Sequence, residues 1–126
     1  MSDRFIEGNP LEEVGGYARA AREGSRIAVS GTTANLTPDE VLDTYAQTAQ
    51  ALGRAVQAVQ QLGGGVDGVL RTRVYLAPGA DWQGAARAHG EVFAGQRPAN
   101  TMLFVSGLVG DDGVLVEVEL DAEASA

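Results

Sequence analysis

Apolar and polar positions alternate with period two near the end of the chain. Val114, Val116, Val118 and Leu120 fall on one side there, and Leu115, Glu117, Glu119 and Asp121 fall on the other. That is the pattern of a strand with one covered face. The preceding run, Thr101 to Val105, is apolar or nearly so on both sides, and Gly110, Asp111, Asp112 and Gly113 separate the two runs. Residues that tolerate positive φ between strand-like runs predict a hairpin from Arg97 to Ala122. Tyr17 to Ala21 and Arg26 to Gly31 predict another hairpin turning at Glu23, Gly24 and Ser25. Val69 to Leu76 predicts a strand in which Leu70, Val74 and Leu76 alternate with Arg71, Arg73 and Tyr75.

Between these runs the period lengthens. Val41, Tyr45, Thr48, Leu52, Val56, Val59 and Leu62 recur at three- and four-residue steps, which predicts a helix. Thr37 as N-cap, Pro38 at the first position and Glu40 three residues after the cap would start it, and Gly63, Gly64 and Gly65 would end it. A second helix follows Asp81, with Trp82, Ala85, Ala86, His89, Val92 and Phe93 on one face. The resulting order is ββαβαββ, an α+β class with one domain over residues 1–126. Residues 1–16 read as an extended arm and residues 123–126 as a flexible tail. Two helices cover one face of such a sheet, yet Thr101 to Val105 needs cover on both. Self-association supplies it, and places small-ligand clefts at subunit boundaries.

Charge and composition narrow the chemistry. Seventeen acidic residues against nine basic ones give a net charge of -8, which opposes binding to nucleic acid. The absence of cysteine removes thiolate catalysis and cysteine-based metal sites, and His89 is the only histidine, so neither a metal nor another cofactor is expected. No apolar run reaches membrane-spanning length, and the start of the chain lacks the apolar core of a leader, so the expected setting is cytoplasmic.

Few side chains remain as candidates. Glu117 can orient a water and accept its proton, or can belong with Glu119 and Asp121 to a solvated strand face. His89 has the side-chain pKa nearest neutrality, but it lies on the apolar stripe of its helix and there fits a packing role. Tyr17 and Arg19 share a strand face and fit either a ligand cleft or hydrogen bonds between subunits. Ser30 and Gly31 end an apolar run in small residues, where backbone can approach a ligand. Asn100 and Thr101 open the two-faced strand, and Thr101 can donate its hydroxyl to a ligand oxygen.

Taken together, GGYARA near the start, IAVSGTTA, TRVYLAPGADW, and RPAN through VEVELDA resemble the RidA/YjgF family in order and spacing over almost the whole chain. The resemblance implies a chorismate-mutase-like mixed sheet with the helices outside, assembled as a homotrimer with ligand clefts between subunits. It implies cofactor-free hydrolysis of reactive enamines and imines to a carbonyl compound and ammonia, with Glu117 holding the attacking water. Tyr17, Ser30 and Gly31 match the family's cleft residues, and His89 stands where members carry an aromatic residue. The arginine that grips the substrate carboxylate falls on Asn100, which offers a neutral amide in place of a bidentate cation. Altered specificity follows, with Arg19 the candidate substitute and Arg97 reaching the site only along a different loop path. The alternative is a trimer that binds a small metabolite without turning it over.

Overall fold

A computed structural model describes residues 2–125. Its elements are β1 (Ser2–Phe5), α1 (Pro10–Gly15), β2 (Ala20–Glu23), β3 (Arg26–Thr32), α2 (Thr44–Gln61), β4 (Val69–Leu76), α3 (Trp82–Val92), β5 (Ala99–Phe104) and β6 (Val116–Glu123), with a 3-10 turn at Val66–Gly68. One six-stranded mixed sheet runs in the order β1-β2-β3-β6-β4-β5. All neighbours are antiparallel except β4 and β5.

β6 is the spine of the sheet. Val116, Val118, Leu120 and Ala122 are buried against α2, while Glu117, Glu119 and Asp121 face the side opposite α2. Ala51, Leu52, Ala55, Ala58 and Val59 of α2 are fully buried over Ile27, Val29, Val118 and Leu120. Each fully buried leucine or valine there contributes roughly 1.5–3 kcal/mol relative to exposure. Small alanines along α2 let the helix lie close to the sheet, so the core is thin and tightly filled.

Several expectations need correction. The hairpin from Arg97 to Ala122 does not form: β4 lies between β5 and β6, with Tyr75 opposite Leu103 on one side and Glu117 on the other. β5 returns parallel to β4 after α3, and the loop 105–115 then carries the chain past β4 to β6. The extended arm is instead β1 followed by α1, a helix start at Asn9, Pro10 and Glu12 that the extended reading missed. Asn9 Oδ1 accepts from Leu11 N, and Glu12 Oε1 accepts from Asn9 N at 2.7 Å, a complete capping box. The tail is also shorter than expected, because β6 includes Glu123 and Ala124 N donates to Ser25 O. Ala126 lies outside the described residues.

Helix starts and faces shifted for physical reasons. Thr37 to Glu40 makes an isolated turn, and α2 begins at Thr44, with Asp43 Oδ1 accepting from Ala46 N at 2.8 Å. Val41, placed on the helical stripe by its spacing, is 97% exposed, so a turn added there would bury nothing. A bulge between Val69 and Arg71 turns Leu70 outward and Val69 inward, reversing the expected alternation at the start of β4. On α3, Gly84, Ala85 and Ala88 face the core while Trp82 and Ala86 are exposed.

Candidate functional site

Between Val29 and Thr32, β3 slips its register against β6. The bulge brings the Gly31 backbone against the Glu117 side chain: a Cβ on residue 31 would stand 2.0 Å from Glu117 Oε2. Gly31 has no positive φ, so space and not backbone freedom requires glycine here. Glu117 is half-buried at the floor of a cleft of about 590 Å³. Burial holds its carboxyl above the ordinary 4.5, Glu119 pushes the same way, and Arg19 pulls against both.

Arg19 is buried beside it. Its NH1 donates to Gly31 O at 2.6 Å and to Thr32 Oγ1 at 3.1 Å, so the guanidinium braces the bulged backbone. Its Nε is buried, lies 3.5 Å from Glu7 Oε1 and makes no hydrogen bond. The same Glu7 oxygen lies 2.6 Å from Arg54 NH2, and Arg54 NH1 donates to Thr33 O. Tyr17 stacks its ring under Arg19 at 5.9 Å, and Ser30 Oγ donates to Ala18 O at 2.6 Å. Tyr17, Arg19, Ser30, Gly31 and Glu117 thus converge on one cleft.

Two further side chains hold the walls, and neither was among the sequence candidates. Glu12, nearly fully buried, accepts from the backbone of Glu7, Gly8, Asn9 and Arg19 at 2.7–3.1 Å. Those bonds, the Glu7 backbone foremost, hold its carboxyl below the ordinary value against the opposing pull of burial. They also fix the segment that presents Glu7. Gln47 of α2, 1% exposed, donates to Gly113 O at 2.9 Å and Leu42 O at 3.0 Å and accepts from Leu115 N at 2.9 Å. It pins the loop whose Val109, Asp111 and Val114 form the opposite wall. Arg54 and Glu7 could not be assigned from periodicity, because their meeting joins the first loop to the middle of a helix.

The other candidates lie elsewhere. Asn100 Nδ2 donates to Thr72 Oγ1 at 2.9 Å, on the helix-facing side of the sheet, opposite to the side that carries Glu117. Thr72 Oγ1 is also 2.7 Å from His89 Nε2, and His89 packs its ring on Phe93 at 4.7 Å. Burial lowers the His89 pKa below 6.5, so the ring is neutral near pH 7, in the packing role that its stripe position suggested. Thr101 is exposed on the same side as Glu117, but two strands away across β4 and two residues off its register, roughly 12 Å at ordinary strand spacing. Arg97 is exposed, with φ 52°, and does not line the cleft. Within one chain Asn100, Thr101 and His89 are therefore not brought to Glu117. Among the described residues no group of three or more metal-binding side chains occurs, and no helix is long and apolar enough to cross a membrane.

A six-stranded mixed sheet covered on one face, with an acid-bearing cleft at a bulged strand, defines a small α+β protein of the RidA/YjgF type. The chain belongs to the family described as Endoribonuclease L-PSP, whose family model matches residues 7–124. An uncharacterized protein of Streptomyces coelicolor is 44% identical over 126 residues, covering 98% of this chain and 92% of that one. The crystal structure of a YjgF/YER057c/UK114 family member from Mycobacterium tuberculosis is similar at 34% identity and a TM-score of 0.87, covering 98% of this chain and all of the other. A Pseudomonas aeruginosa protein of unknown function is similar at 30% identity and a TM-score of 0.85, covering 98% and 92% of the two chains.

Proposed function

We propose that this protein hydrolyses a reactive imine or enamine to a carbonyl compound and ammonia, working as a homotrimer. The observation that carries the reading is the half-buried Glu117 carboxyl in its cleft, with a raised pKa and with Gly31 leaving it room. A carboxylate so placed takes a proton from water as the oxygen bonds to the C=N carbon, then returns a proton to nitrogen as the C–N bond breaks. Water balances the reaction, so the step as written calls for no cofactor.

Assembly is supported by what one chain leaves uncovered. Trp82, Leu103 and Phe104 are 50%, 41% and 51% exposed around a hollow of about 420 Å³ at the β5 edge. Among the described residues, neither α2 nor α3 covers the sheet face carrying Glu117. A neighbouring subunit laid on that face would cover it and place the Glu117 cleft at a subunit boundary. The family's name points to RNA, but a net charge of -8, and an Arg73 already paired with Glu119 and Asp121, favour a small ligand. Ammonia release from imines generated in situ by an oxidase tests the reading: rates above the uncatalysed background on at least one imine support it, and background rates on all of them refute it.

A further inference from the structure

The arginines of the cleft are already neutralised from within the chain. Among the described residues that line it, the cations are Arg19 and Arg54 and the anions are Asp111 and Glu117. Behind the lining, Glu7 Oε1 reaches both arginines, at 3.5 Å and 2.6 Å. Arg19 NH1 and Arg54 NH1 are spent on the carbonyls of Gly31 and Thr33. Two positive charges thus share the cleft region with Asp111 and Glu7 even when Glu117 is protonated, and with a third negative charge when it is not. A substrate carboxylate entering here would compete with Glu7 for guanidinium groups whose charge Glu7 already balances in part, and would lie beside Asp111 and Glu117.

Resting on the hydrolase reading above, we propose that Glu7 acts as an internal counter-carboxylate that sets specificity. The substrate is then an imine lacking a carboxylate, of the kind formed from a primary amine and not from an α-amino acid. Protonated on nitrogen, such an iminium carries a positive charge that Asp111 and Glu117 complement. Water adds to its carbon, the C–N bond breaks, and an aldehyde or ketone leaves with ammonia, with no change of oxidation state.

A matched pair of non-reacting probes separates this inference from the turnover reading. Pyruvate and pyruvamide differ in charge and little in shape, and their binding can be titrated by NMR chemical shifts on the wild-type protein and on Glu7→Gln. The wild type should bind pyruvamide at least about tenfold more tightly than pyruvate, and Glu7→Gln, which frees the two guanidinium groups, should narrow or invert that ratio. Wild-type binding of pyruvate as tight as pyruvamide, binding of neither probe, or an unchanged ratio in Glu7→Gln would overturn it. Binding decides the specificity inference and ammonia release decides the hydrolase reading, so the two can fail separately.

Discussion

Gly31 and Glu117 are interlocked: the carboxylate occupies the volume that any side chain on residue 31 would need, with a Cβ only 2.0 Å from Oε2. Gly31→Ala should expel Glu117 from its position while leaving the sheet intact. Expected is a loss of turnover of about tenfold or more, with a circular-dichroism spectrum like that of the wild type, since misplacing a reacting group by an ångström suffices for such losses.

The pH response follows from the raised Glu117 pKa. In the proposed reaction the carboxyl works ionised, so turnover should climb as pH rises through a value above 4.5 and then level off. Stability moves the other way. A carboxyl whose folded pKa is raised favours the folded state in its protonated form, and that contribution is lost as pH rises from 4.5 through the folded value. Glu117→Gln should therefore abolish the acid limb of the rate profile and, in thermal melts at neutral pH, lie at or above the wild type in Tm.

His89 behaves oppositely. Its folded pKa is lowered by burial, so the unfolded chain binds the proton first as pH falls below 6.5. Stability should decline from about 6.5 downward until the folded ring titrates as well. His89→Gln should flatten that part of the stability profile in urea unfolding at stepped pH.

Gln47 ties α2 to the loop 105–115 through both ends of its amide. Gln47→Ala removes partners from the Gly113 carbonyl and the Leu115 amide and leaves a small cavity. A loss of about 2–4 kcal/mol in unfolding free energy is expected, with faster amide exchange confined to residues 109–115.

Asn100→Arg restores a cation at the position that resembles the family's carboxylate anchor. If a neighbouring subunit presents it to the Glu117 cleft, the rate on 2-iminopropanoate should rise by roughly tenfold, the worth of one charge-assisted contact. No rise, in a variant that sediments as a trimer, would show that the cleft's own charge balance governs the choice.

What the sequence disclosed depended on how local the cause was. β4 was bounded correctly, and the hairpin of β2 and β3 and the body of α2 were found, because alternation, turn residues and helical spacing are properties of short windows. The pairing of β5 with β4 was missed because two apolar runs joined by glycines and aspartates look like a hairpin whether or not a third strand comes between them. In the site, Tyr17, Arg19, Ser30, Gly31 and Glu117 were named in advance and do converge. Glu7 and Arg54 were invisible, since nothing in either neighbourhood records that they meet across 47 positions. The bulge that seats Gly31 against Glu117 was equally hidden, being a property of two paired strands.

In the proposed function Glu117 moves the protons in a hydrolysis at carbon–nitrogen double bonds. Ammonia release by wild type and Glu117→Gln on a primary-amine-derived imine, at matched protein concentration and with folding verified by thermal melts, tests it most directly. A fall of about 100-fold or more in the variant is predicted, the usual worth of a positioned acid–base group. Equal rates in a folded variant would contradict it.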